Sequence, residues 1–363
     1  MGDKRIGSGW PIDRREFIAG AAGLAAAGAL APRRAWAADE LNILVWCDHA
    51  DPKLIKPFEQ AHSVKVNVKT YEGTGTALSI LEQSAPGDWD VIVVDAPDVP
   101  RVAHQGILAE LPESIAPWDD MFPQLRNAAY THIDGKVYAV PEKFGYYGFC
   151  YNKDVVDPAD ARRGDIMWNE KYKGRLGVYD YYFPVIQMIG ISLGWKPADI
   201  TTERLAKIRE RLLAMKPNVK MVGDIVSVQN ALVTGSVDVI VGGAEFTVSN
   251  LIPDNPNLDW VISDQGGLIW NQGIGILSGT KRTELASAFV QWILSPKGQG
   301  LLATSECYWA MPTNSKAVIS DRDKKILRWD EQPDFLARST VSQFPDPDMD
   351  SQMLDLWTEF LQS

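Results

Sequence analysis

The sequence predicts an α/β protein of two lobes, and three observations carry that reading. Strand and helix patterns alternate between residues 41 and 95. The same alternation returns from residue 175 onward. No Pro/Gly/Ser-rich tether parts the two stretches. Alternating β and α segments build sheets with crossover connections. The 363 residues suffice for two or three domains of ordinary size, here joined by strands instead of a flexible linker. Hydrophobic residues at 45% and charged residues at 23% are ordinary for a folded chain and rule out wholesale disorder.

The first 37 residues read as an export leader, not as fold. Arg14-Arg15 precede an Ala/Gly/Leu run from Ile18 to Ala31, and Arg33-Arg34 lead into Ala35-Trp36-Ala37. A basic region, a short apolar stretch and a small-residue end make a secretory signal. The apolar run is about 14 residues, short of the roughly 20 that span a bilayer. The paired arginines resemble the twin-arginine motif. Asp13 and Ala19 depart from that motif, so the route is Tat or Sec. Cleavage is expected near Ala37 and delivery to the periplasm. No later segment holds 18 consecutive apolar residues, and the mature chain is expected to be soluble.

In the mature chain Leu41–Trp46 reads as a strand. Lys53–Ala61 reads as a helix starting late or kinked at Pro57. Val64–Val68 alternates apolar and polar residues and is a second strand. A turn at Gly73-Thr74-Gly75 leads to a helix over Thr76–Gln83. Asp90–Asp95 is a continuous apolar run of the kind buried on both faces of a parallel sheet. Later come a strand at Arg175–Tyr179, an amphipathic helix at Thr202–Met215, a helix end at Gln229–Gly235 and a buried strand at Val237–Val241. Helices at Ser287–Leu294 and Ser351–Leu361 follow.

Charge narrows the partners. There are 36 basic and 47 acidic residues, a net −11. A general nucleic-acid binder shows a basic surface, and an anionic membrane favours one. Three cysteines, Cys47, Cys150 and Cys307, are too few and too scattered for a disulfide framework or a zinc site. They are either small buried hydrophobes or include one disulfide whose pairing spacing does not reveal. No GxSxG, HExxH, CxxCH or P-loop appears, and the four histidines are scattered, so no enzyme and no cofactor is expected.

Several stretches in their order carry a resemblance. They are LNILVWCDHADPKLIKPFEQ, WDVIVVDAPDVPRVAHQGILAEL, GKVYAVPEKFGYYGFCYNKDVV, KYKGRLGVYDYY, GGLIWNQGIGILSGTKRTELASAFVQWILSPKGQGLLA and YWAMPTN. Together they resemble the solute-binding proteins of bacterial ABC importers, in particular the spermidine/putrescine-binding branch. The resemblance implies the two-lobed type II periplasmic-binding-protein fold with a ligand cleft between the lobes. It places lobe 1 at 38–144 and 271–315, and lobe 2 at 145–270 and 316–363. It implies a monomer that captures a small amine and hands it to an inner-membrane permease. A same-fold receptor for another solute (an amino-acid conjugate or ferric iron) and a solute sensor are the alternatives.

Candidate ligand residues follow from position and chemistry. Trp46, Asp48 and His49 sit at a strand's carboxyl end, where α/β sheets bind ligands. Trp46 stacks on a ligand chain or faces a cation, or else ends the strand as a core tryptophan. Asp48 pairs with an ammonium. His49, where the branch often has Tyr, either joins the site or is a solvated loop residue. Asp95 ends another strand and supplies a charge or caps the next helix. Glu142 and Phe144 precede the first crossover, where aromatics face the ligand or pack the hinge. Tyr146 and Tyr147 are expected in the hinge. Tyr181 and Pro184 stand where the branch places acids, leaving Asp180 as a substitute, and Tyr181-Tyr182 is the pair that suggests ferric iron. Glu245 in VGGAEF is a further replacement acid. Trp270 matches the branch's aromatic on the return crossover, and Gln272 replaces its aspartate. Trp309 or Tyr308 closes one end of the cleft. Burying a dication without carboxylates is costly, so the lost acids point to a changed solute or a different mode of holding it.

Overall fold

The computed structural model describes residues 39–363, and the expected leader lies outside them. β1 (Glu40–Val45) pairs in parallel with β2 (Lys65–Thr70) and β3 (Val91–Asp95). Alternate residues of these strands enter different cores. Leu41, Ile43, Val91 and Val93 pack on one face, and Leu44, Ile92 and Val94 on the other. Both faces are therefore buried, as a continuous apolar run requires. The helix Pro52–His62 starts one residue before the expected position. Asp51 caps it by accepting the Lys53 N–H at 2.8 Å, and Pro57 lies within it. Thr74–Glu82 likewise starts early, directly behind Gly73.

One 14-residue strand, β4 (Ala139–Asn152), carries two ladders. Its first part pairs with β9 (Leu268–Ile276), which in turn pairs antiparallel with β3. Its last part pairs with β7 (Val239–Gly243) and β8 (Leu258–Val261). β5 (Leu176–Tyr179) lies parallel between β7 and β6 (Val219–Gly223). The short β10 (Met311–Pro312) and β11 (Thr340–Val341) edge β4 and β9. The ladder changes at Gly148, where a Cβ would sit 2.5 Å from the Val261 carbonyl oxygen. Only glycine lets the strands approach so closely there. The final helix, Pro347–Gln362, packs Met353, Leu356, Trp357 and Phe360 into the core around β5 and the helices Tyr182–Ser192 and Thr202–Met215. No helix among the described residues is long and apolar enough to cross a membrane.

Candidate functional site

The carboxyl ends of β1 and β3 meet the middle of β4 and β9. β4 bulges there: Pro141 pairs with Gly273 and Lys143 with Gln272, leaving Glu142 as an extra residue. A bulge breaks side-chain alternation and re-aims its residues. Glu142 and Lys143 both reach the turn Cys47–Ala50 that follows β1. His49 stands between two carboxylates, its Nδ1 3.1 Å from Asp48 and its Nε2 3.1 Å from Glu142. The Lys143 ammonium donates to the other oxygen of Asp48 and, at 2.6 Å, to the Tyr308 hydroxyl oxygen. It also lies 3.9 Å from Glu142 Oε1 and 4.9 Å from the centre of the Tyr308 ring. The side chains of Asp48, His49, Glu142 and Lys143 are at most 1% exposed.

Buried charges survive only when paired, and this cluster is self-compensating. Burial alone would raise the Asp48 carboxyl, yet Lys143 and His49 hold it well below the usual range. Burial alone would lower the His49 imidazole, yet Glu142 and Asp48 lift it above its ordinary value.

Asp95 is the opposite case. Its carboxylate accepts the Gln272 side-chain N–H at 2.8 Å, the Thr74 hydroxyl at 3.1 Å and the Thr74 backbone N–H at 3.4 Å. These donors are all neutral, and no salt bridge reaches Asp95 among the described residues. Burial raises its pKa despite those bonds. Asp95 is thus an acid held in place without a counter-ion.

Aromatic rings stand nearby. Tyr147, Tyr181, Tyr179 and Phe246 form a closed circuit. Successive ring centres are 6.3, 5.9, 6.5 and 5.9 Å apart. Trp270 meets Phe246 edge-on at 5.8 Å. Trp46 lies 6.1 Å from Tyr71. Burial raises Tyr71, Tyr147, Tyr179 and Tyr181, and carboxylates raise them further. Asp95 acts on Tyr71, Tyr147 and Tyr181, while Glu72, Asp180 and Asp224 act on Tyr179. Aromatic faces in a negative field favour a cation. Buried polar atoms without a protein partner include Trp46 Nε1, Glu142 Oε1, Trp270 Nε1 and Gln272 Oε1. Buried polar atoms normally have a partner, so Gln272 Oε1, in the row with Asp95, is available to a further polar group.

Residues 53–329 match the family described as bacterial extracellular solute-binding protein. The chain belongs to that family. The spermidine/putrescine-binding periplasmic protein 1 of Haemophilus influenzae is 23% identical over 263 residues, 71% of each chain. A Vibrio cholerae protein named norspermidine sensor is 19% identical over 265 residues, 71% of this chain and 70% of its own. A spermidine/putrescine ABC transporter substrate-binding protein from Streptococcus pneumoniae has been solved with calcium and HEPES. It superposes with a TM-score of 0.78 at 20% identity, covering 90% of this chain and 99% of that one. That likeness shows the two-lobed periplasmic-binding-protein fold.

Within this solute-binding protein the expected residues separate into groups. Asp95, Gln272, Trp46, Tyr181 and Trp270 lie at the meeting point of the strand ends and the aromatic circuit. Asp95 does not cap the following turn with its side chain. Asp48, expected to hold a ligand ammonium, is engaged by His49 and Lys143, because the protein brings its own cation. His49 is fully buried, not a solvated loop residue. Glu142 serves His49. Phe144 packs inward against Phe122 and Tyr146 at 6.0 and 5.8 Å. Glu245 is fully buried against Gly145 and accepts the Tyr146 N–H at 3.1 Å. Among the described residues no cation pairs with it, and burial pushes its pKa well up. Trp309 belongs to the core around Ala303 and Met311; its neighbour Tyr308 is the one that meets Lys143. Asp180 accepts the Trp357 indole N–H at 2.9 Å. Tyr146 is a core residue whose hydroxyl donates to Gln332 at 2.7 Å, whereas Tyr147 faces the aromatic circuit.

Lys143, Thr74, Tyr71, Tyr179 and Phe246 escaped sequence reasoning as site residues, and Tyr147 was expected as hinge packing. Tyr71 and Tyr179 each end or follow a strand, the signal that did find Asp95. The bulge at Glu142 removed the period-two signal for Lys143.

Cys47 and Cys307 form a disulfide across a sequence separation of 260, with Cα atoms 6.0 Å apart, and Cys150 is buried and free. The bond ties the Asp48 turn to the Tyr308 loop. Replacing both cysteines by serine is expected to cost about 2–5 kcal/mol, measured as a lower urea midpoint. An unchanged midpoint would show that the bond closes no loop that matters to stability.

Proposed function

We propose that this protein is the periplasmic substrate-binding component of an ABC importer, and that it captures a small organic amine between its lobes. The observation that carries this reading is Asp95, a carboxylate with three neutral donors, no counter-ion and aromatic rings around it. An ammonium supplies the missing charge, and the rings take its alkyl chain or its charged face. Ordered lobes with strands running between them suit hinge closure over the solute. The names of the Haemophilus and Vibrio relatives support an amine. The disulfide suits an oxidising compartment, and the leader supplies the export signal, read by the Tat or Sec machinery. The captured solute is then handed to an inner-membrane permease, and the receptor acts as a monomer without catalysis.

Thermal melting with a panel of polyamines, monoamines, amino acids and sugars tests the reading. A ligand at about 100 times its Kd adds roughly 2.7 kcal/mol of stability. Amines are expected to raise the melting temperature, and shifts confined to sugars or anions would overturn the proposal. Amine affinity is also expected to fall on acidification. An ammonium needs ionised Asp95, whose pKa lies above the ordinary 3.8. Binding therefore weakens at a higher pH than an unperturbed carboxylate would allow. Calorimetric titrations between pH 7 and pH 4 check this, and a flat profile would contradict it.

A further inference from the structure

We infer that Lys143 is a built-in occupant of one ammonium site, so that the solute this protein selects carries a single ammonium group instead of two. The inference rests on the reading of the cleft as an amine site and narrows it.

The surroundings of the Lys143 nitrogen are those a bound amine would require. It meets an Asp48 oxygen, the Tyr308 hydroxyl at 2.6 Å, Glu142 Oε1 at 3.9 Å and the Tyr308 ring at 4.9 Å. The side chain is 1% exposed, so it fills this place completely. The place also adjoins Asp95. Asp95, Gln272 and Lys143 form one row across the neighbouring strands β3, β9 and β4. Two strand spacings separate the backbones of Asp95 and Lys143 by about 10 Å. Tyr308 stands against Lys143; the charges of Asp48, Glu142 and, least, Asp95 raise its pKa beyond what burial does. Two acidic positions side by side, lined by aromatic rings, suit a diamine. Here one of them is taken by the chain itself.

A second ligand ammonium finds nothing equivalent. Both Asp48 oxygens are engaged, one by His49 and one by Lys143. Glu142 Oε2 serves His49, and Glu142 Oε1 lies beside Lys143. An ammonium placed there confronts the Lys143 charge, and like charges in a buried site repel strongly. Glu245 is sealed against Gly145 and the Tyr146 N–H. Among the described residues Asp95 remains a carboxylate whose partners, Gln272 and Thr74, are all neutral. The internal lysine thus acts against dications, a form of discrimination by repulsion.

Calorimetric titration of the full protein with three four-carbon amines tests this. Putrescine carries two ammonium groups; 4-amino-1-butanol and N-acetylputrescine carry one. The wild-type protein is expected to bind at least one of the monocations tenfold or more tighter than putrescine. Lys143→Met is expected to reverse that preference by vacating the site. The double variant Asp48→Asn/Lys143→Met, which also removes the acid, is expected not to gain putrescine binding. If Lys143→Met fails to fold, the wild-type ratio and the double variant still decide. A wild-type preference for putrescine, or a ratio unchanged in a folded Lys143→Met protein, would overturn the inference and leave the amine reading intact. Failure of all three amines and of longer polyamines to bind would overturn both.

Discussion

Asp95→Asn is expected to lower amine affinity by about 30- to 1,000-fold. The substitution keeps the size of the side chain and deletes its charge. Truncating one partner of a desolvated charge pair costs about 2–4 kcal/mol, which sets that range. The unliganded protein should behave differently. Burial penalises the ionised form of Asp95 and raises its pKa, so the folded state bears a cost there. The asparagine variant is therefore expected to melt at the same temperature as wild type or higher. A binding residue that weakens its own fold is a recurrent compromise at functional sites. Titration calorimetry and a melting curve read the two effects separately. Lost affinity together with lost stability would assign Asp95 a structural role instead.

Asp48→Asn is expected to do the reverse and destabilise the fold by about 3–5 kcal/mol, the usual consequence of removing one member of a buried ion cluster. It leaves the Lys143 ammonium with Tyr308 and the more distant Glu142. The pH dependence has two limbs. The Asp48 carboxyl is depressed in the fold, so its contribution is present above its unfolded value of 3.8 and disappears as pH falls through the depressed one. The His49 imidazole is raised, so its contribution is complete below 6.5 and disappears as pH rises through the raised value. Wild-type stability should thus peak between these limits, and Asp48→Asn should flatten the acid limb. Urea midpoints at several pH values measure both, and a loss below about 1 kcal/mol would show that the cluster contributes little net stability.

Much of the fold was legible because its signals are local. The runs Asp90–Asp95 and Val237–Val241 declared themselves as buried strands, which the structure places at Val91–Asp95 and Val239–Gly243. The helix Thr202–Met215 has the predicted bounds, with Thr201 as its cap. The helix expected at Lys53–Ala61, starting late or kinked at Pro57, begins at Pro52 and carries Pro57 within it. Pro52 begins a helix comfortably because its missing N–H would have no partner in the first turn. The site was less legible because its parts are distant in sequence. Asp95 was found at a strand end and Gln272 through the resemblance, on the return crossover, but their hydrogen bond spans 177 residues. Asp48 was found and its partner was not, because Lys143 lies 95 residues away behind a bulge. The disulfide joins two cysteines 260 residues apart, and no spacing rule reaches so far. The aromatic circuit draws on three separate segments, around Tyr147, Tyr179–Tyr181 and Phe246, and no one of them announces it.

The most direct test of the amine site is a crystal structure of the protein with a bound amine such as N-acetylputrescine. The expected result is an ammonium nitrogen within about 2.7–3.2 Å of the Asp95 carboxylate, with its alkyl chain against the rings of Tyr147, Tyr181 or Trp270. An amine bound elsewhere, with Asp95 still held by neutral donors alone, would contradict the assignment of this site.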